Sequence, residues 1–215
     1  MFGPITYIIE FIIHIDKYLE LIIQNFGNYT YLVLFFIIFM ETGFVITPFL
    51  PGDSLLFAAG ALSSISELNI LISFIVVSLA AVLGDTVNYW IGNFIGPKVF
   101  ESNSRLLKKE HLKKAQAFYE KHGGKAILLA RFVPIVRTFA PFVAGVSKMN
   151  YEKFLLFNVT GGILWVSIFI FGGYYFGNIA YVRQNFHIVV FLIIILSLVP
   201  ILYEWVRSKY SKVEV

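Results

Sequence analysis

The chain of 215 residues contains no cysteine. That excludes disulfides, thiolate catalysis and cysteine-ligated metals. Charge is scarce too, at 14% of residues, where a soluble domain carries about 25%. Hydrophobic residues make up 58%, and mean hydropathy is +0.78. These values describe a membrane protein. Only four histidines are present, and none joins Asp or Glu at metal-ligand spacing, so neither a metal nor another cofactor is expected. No glycine run forms a phosphate-binding P-loop. A net charge of +4 and a pI near 9.2 would suit nucleic-acid binding in a soluble protein. In a membrane protein the same excess marks cytoplasmic loops, so no nucleic-acid partner is expected.

The N-terminus, "MFGPITYIIEFIIHIDKYLELII", lacks a basic leader and carries scattered acids, unlike a cleaved signal peptide. Apolar residues at 5, 8, 9, 12, 15, 19 and 22 have helical spacing. An amphipathic helix over 1–27 is predicted, lying on the interface or against the bundle. A spanning helix needs about 20 mostly apolar residues. Three stretches qualify, near 70–96, 152–178 and 185–205. The region 28–65 is apolar but interrupted.

Between the spans lies a basic amphipathic segment, 97–124. With its flanking residues (96–125) it holds eight Lys/Arg against three Glu. The positive-inside rule puts it in the cytoplasm. The basic tail "VRSKYSK" is placed on the same side, because the two later spans cross the membrane twice between them. Residues 125–150 then start and end at the cytoplasmic face. They hold Arg131, Arg137, Pro134 and Pro141, which suits a re-entrant loop better than a simple span.

An internal repeat emerges. "FLPGDSLLFAAGA" (49–61) and "FVPIVRTFAPFVAGV" (132–146) both open Phe-x-Pro and close Phe-x-Ala-Gly, with two extra residues in the second. Pro51, Gly52, Gly60, Pro134, Pro141 and Gly145 are read as loop-shaping. Each segment precedes a long helix ending in GxxxG, Gly92 with Gly96 and Gly173 with Gly177, read as helix-packing surfaces. The first loop faces outside and the second faces inside, so the units are inverted. Inverted repeats with broken segments at matching positions are a mark of secondary transporters. The fold class is therefore all-α integral membrane: a re-entrant loop plus a long helix, twice, with an N-terminal amphipathic helix and a C-terminal span. The first unit covers 28–96, the second, inverted unit covers 125–178, and 185–206 forms the last span.

Two charges flank each break: Glu41 and Asp53 in the first unit, Arg131 and Arg137 in the second. Each costs about 2.5–3.5 kcal/mol at the bilayer centre. Four unpaired would cost on the order of 10 kcal/mol, comparable to the stability of a whole protein. They are expected to pair, two carboxylates against two guanidiniums with net charge near zero. Arginines also suit bidentate phosphate binding. Asp85, in "GDTVNYWIG", is a fifth intramembrane charge, placed to pair with an arginine or to hydrogen-bond Asn88 or a loop backbone. Asp85, Asn88 and Thr138 are supporting candidates.

These residues together resemble a family. Glu41 ahead of "FLPGDSLLFAAG", then "GDTVNYWIGNFIG", then "FYEKHGGKAILLARFVPIVRTFAPFVAGVSKM", are similar to the DedA family of bacterial membrane proteins, also called the SNARE-associated or VTT-domain family. The match runs from about residue 28 to 180. The resemblance implies two oppositely oriented re-entrant loops and lipid transport. It implies the return of undecaprenyl phosphate across the cytoplasmic membrane, dependent on the proton motive force, with phospholipid transport or scrambling in other members. It also maps the family's essential acids onto Glu41 and Asp53, and its essential arginines onto Arg131 and Arg137. The expected partners are a polyprenyl phosphate or phospholipid, protons, membrane lipids and, as an open point, a second copy in a homo-oligomer. A proton-coupled small-ion or drug antiporter is the competing reading. An enzyme is not expected, because all four histidines lie outside the two loops.

Overall fold

The structure, a computed structural model, describes residues 14–44, 52–65, 68–96, 117, 120, 122–177, 179–189, 191–193 and 195. Among these residues it is all-helical, without strands. In chain order the helices are α1 (Ile15–Phe26), a 3-10 turn (Gly27–Tyr29), α2 (Thr30–Gly43), α3 (Gly52–Ser63), α4 (Ile70–Ile95), α5 (Lys125–Ala130), α6 (Pro134–Val146), α7 (Tyr151–Phe176) and α8 (Ala180–Gln184).

The two long helices have matching starts. Asn69 caps α4 by accepting from the N–H groups of Leu71 and Ile72 at 2.9 and 3.3 Å. Asn150 caps α7 by accepting from the Lys153 N–H at 3.1 Å. Each cap satisfies donors that the first turn would otherwise leave open. Both helices are 26 residues long, so each runs about 39 Å, enough to cross a hydrocarbon core of about 30 Å.

Three helical stretches are long and apolar enough to cross a membrane: Ile15–Gly43, Ile70–Ile95 and Tyr151–Phe176. The first differs from the sequence reading, which kept an amphipathic helix separate from an interrupted region. The 3-10 turn joins α1 to α2 with little interruption, and α1 turns Ile15 and Leu19 inward. Of the expected C-terminal span, 186–189, 191–193 and 195 are helical, and the remainder lies outside the described residues. So does most of the basic segment 97–124.

The second broken segment is a hinged pair of helices. The break falls at 131–133, between α5 and α6. Pro134 begins α6, where a missing N–H costs nothing. Pro141 lies inside α6, where it removes one bond of the ladder without ending the helix.

Packing is crossed between the halves. The first short helix, α3, lies along the second long helix, α7, and α6 lies along α4. Glycines make both contacts. A Cβ on Gly60 would overlap the Ile170 carbonyl, and one on Gly173 would overlap the Phe57 carbonyl. In the other crossing, Gly145 meets the Tyr89 carbonyl and Gly92 meets the Phe142 carbonyl in the same way. Gly60 and Gly145 thus act within helices, as close-packing points, and not as loop formers. Gly177 packs against Ala61, whereas a Cβ on Gly96 would meet nothing within 4 Å among the described residues. With φ of +69° Gly96 ends α4, and its N–H donates to the Gly92 carbonyl.

Two apolar clusters form the core. Along α4, Val77, Ala80 and Ala81 belong to the first and Tyr89 to the second. Along α7 the order reverses: Phe154 lies in the second, then Trp165, Val166 and Ile170 in the first. The long helices therefore run antiparallel. Between the clusters each carries polar residues, Asp85 and Asn88 on α4 and Asn158 on α7, all buried. Leu71, Ile75, Leu79 and Leu83 meanwhile turn outward at four-residue spacing. Polar inside and apolar outside is the pattern expected where lipid is the solvent.

Candidate functional site

The polar layer is built from five helices, α2, α3, α4, α6 and α7, and the break that holds Arg131. Glu41 stands in the last turn of α2, with its side chain buried. Its carboxylate lies against the first residue of α3, and a Cβ on Gly52 would overlap it. Gly52 is thus required for the close approach. Asp53 follows in the first turn of α3, where the helix dipole favours an acid. Arg137 sits in the first turn of α6, where the same dipole disfavours a cation. Strong acidic neighbours offset that, because Arg137 takes both Glu41 and Asp53. Nη2 pairs with Glu41 Oε1, and Nη1 pairs with Asp53 Oδ1 at 2.7 Å.

Arg131, at the break between α5 and α6, has other partners. Its Nη2 meets Asp85 Oδ2 at 2.6 Å and donates to Asn158 Oδ1, also at 2.6 Å. The expected square of two acids and two arginines is therefore revised. Glu41 and Asp53 converge on one arginine, and Asp85 serves the other. Three carboxylates and two guanidiniums sum to −1 (2 − 3), one negative charge more than the neutral set expected.

Two asparagines lace the layer together. Asn88 Nδ2 donates to the carbonyls of Thr42 and Thr138 at 3.2 and 2.8 Å. It thereby ties the residue after Glu41 to the residue after Arg137. Asn158 Nδ2 donates to the Val82 carbonyl at 3.0 Å while its oxygen holds Arg131. Among the described residues the Asn88 amide bonds backbone on both sides and not Asp85. Thr138 is buried and contributes its carbonyl. Pro51 lies outside the described residues.

Sequence reasoning missed Asn158 and Trp165. Trp165 Nε1–H donates to Asp53 Oδ1 at 2.9 Å. Both guanidiniums lie near its ring, with Cζ of Arg137 at 5.0 Å and of Arg131 at 5.9 Å from the centroid. A signal existed in "NVTGGILW". Asn158, Gly162 and Trp165 fall at i, i+4 and i+7, one stripe on α7. Gly162 leaves room for Arg131, whose Nη2 would be 3.4 Å from a Cβ there.

Not every donor is used. Nε and Nη1 of Arg131 and Nε of Arg137 are buried without a hydrogen-bond acceptor among the described residues. A guanidinium has five N–H donors in a fixed fork that matches a phosphate. Chemically, the layer can present paired donors to an oxyanion. It can also exchange carboxylate partners for it.

An all-helical, multi-pass membrane protein, with two antiparallel halves around a buried charged layer, is the class that fold and site define. The VTT domain model matches residues 50–175. The chain is 49% identical to Protein DedA of Escherichia coli (strain K12) over 208 residues, 95% of each chain. It is 42% identical to an uncharacterized membrane protein of Mycobacterium tuberculosis, covering 85% of this chain and 81% of that one. With the inner membrane protein YghB of Escherichia coli (strain K12) it shares 32% identity, over 84% and 86% of the two chains. No solved structure matches. The chain belongs to the VTT-domain family, the DedA family of membrane proteins.

Proposed function

We propose that the protein is a lipid carrier returning undecaprenyl phosphate across the bacterial cytoplasmic membrane in exchange for protons. The observation that carries this reading is Arg137, a buried arginine held by two carboxylates from the other half of the molecule, with a donor to spare. A lipid phosphate adds one to two negative charges to a layer whose formal sum is already −1. Binding to Arg137 displaces Glu41 and Asp53, and proton uptake by the released carboxylates offsets the added charge. The polyprenyl tail stays in lipid while the headgroup crosses. The two broken segments enter the membrane from opposite sides, and segment 97–124 and the C-terminus face the cytoplasm. That orientation rests on the basic excess between the spans. The protein acts as a carrier, without chemistry on the lipid.

A second reading draws on the excess acid. Three carboxylates against two guanidiniums also suit a proton-coupled cation or drug antiporter. One experiment separates the readings: reconstitution with labelled undecaprenyl phosphate beside phosphatidylethanolamine, with and without a pH gradient, while cation flux is followed. Gradient-dependent movement of the polyprenyl phosphate is expected. Equal movement of both lipids without a gradient would make the protein a scramblase. Cation flux without lipid movement would establish the antiporter.

A further inference from the structure

We propose that Trp165 is a positioning residue with two separable tasks: its ring orients Arg137 for a phosphate headgroup, and its N–H retains Asp53 when that headgroup displaces it. The inference rests on the lipid-phosphate reading above and assigns a role to a residue without formal charge.

Trp165 is fully buried in the middle of α7. Its neighbour Phe169 stands edge-on at 6.3 Å between ring centroids, and both rings pack with the first apolar cluster. The indole is thereby fixed. Its Nε1–H shares one acceptor atom with Arg137, because Asp53 Oδ1 takes both the indole N–H and the Arg137 Nη1–H. The ring lies closer to Arg137 than to Arg131. One neutral side chain thus touches three of the five charged groups.

This sharing matters once an anion arrives. A phosphate on Arg137 replaces Glu41 and Asp53, and the guanidinium then loses both carboxylate partners and keeps the ring. A cation is drawn to the indole face whichever anion it carries, so the fork stays oriented. Asp53 has by then lost Arg137 and keeps the indole N–H. It remains in place to reclaim the arginine when the headgroup leaves.

Phenylalanine keeps a ring but loses the donor, whereas leucine loses both. In full-length protein reconstituted with labelled undecaprenyl phosphate, W165F should leave the half-saturating lipid fraction within about twofold and lower maximal transport about tenfold, the worth of one charge-assisted hydrogen bond. W165L should in addition raise the half-saturating fraction about tenfold, as expected for a desolvated cation–ring contact. If both variants change the same parameter by the same factor, Trp165 is packing only and the proposal is overturned.

An optical arm needs no transport. In W90F/W205F protein in nanodiscs, Trp165 is the sole tryptophan. Adding D53N should shift its emission, and undecaprenyl phosphate or inorganic phosphate should shift it in the unmodified site. A response to the lipid alone assigns the phosphate to a headgroup, and a response to both admits free phosphate. Either supports the geometry. Emission unmoved by D53N and by both ligands would overturn it. Failure of lipid movement in the wild-type protein would strike the transport reading alone, leaving the optical result to stand.

Discussion

Arg131 and Arg137 stand on one hinged segment and flank one indole ring, yet their surroundings differ. Arg131 is closed in. Its ion pair with Asp85 leaves 1% and 3% of the two side chains exposed, and Asn158 adds a second partner. Arg137 bridges two acids from separate helices, and the Asp53 side chain keeps 16% of its surface. One arginine is set in a compact tie, and the other in a junction that two partners can leave separately. The packing of the halves is close to symmetric. The chemistry lies in the departures from that symmetry.

The comparison can be broken most severely at Arg137. R137A leaves Glu41 buried without its partner, which costs about 3–5 kcal/mol for a pair of this kind. Transport should fall to background, and thermal unfolding in detergent should show the lost stability. D85A tests the other arginine by stranding Arg131. A stability loss of similar size, about 3–5 kcal/mol, is expected. Transport per folded molecule should be reduced less than tenfold, and background transport there would erase the distinction between the two sites.

Smaller effects test the frame. G60L and G145L each force a side chain against a backbone carbonyl of the opposing long helix. Each should cost about 1–3 kcal/mol. Nearly equal losses on unfolding would confirm that the crossings are equivalent, and a loss confined to one would show that a single half bears the strain. E41Q removes one exchangeable acid at nearly constant volume. Binding of the lipid phosphate should persist while transport loses its dependence on the pH gradient, and an unchanged dependence would count against Glu41 as a coupling acid. G96A should matter least. Among the described residues a Cβ there meets no neighbour, and the substitution adds only the strain of a positive-φ backbone, about 1 kcal/mol on unfolding.

Much of this is legible in the amino-acid sequence alone. Long uncharged runs stand out because lipid demands them, and the 70–96 stretch became α4 over Ile70–Ile95. The charged residues stood out for the converse reason: an ion in such a run is expensive. Their pairing was not legible. Glu41 and Asp53 reach Arg137 across 96 and 84 residues, and spacing alone names no partner at that distance. Asp85 remained between two readings because either partner satisfied its chemistry. Asn158 and Trp165 escaped notice because neither is costly enough in an apolar helix to demand explanation. Gly60 and Gly145 were misread because each follows a proline break. Proline at the first helical position opens a helix as readily as it ends one.

The crossed packing also bears on how the chain is made. Gly60 needs Ile170, and Asp53 needs Arg137, so the first half leaves the ribosome before its counterpart exists. At about 5–20 residues per second, a delay on the order of 5–20 s separates Glu41 from Arg137. Through that interval the newborn half holds three acids, Glu41, Asp53 and Asp85, and a glycine seam, with their partners in the second half not yet made. It must wait at the insertion machinery or at the bilayer surface until the second half arrives to close it.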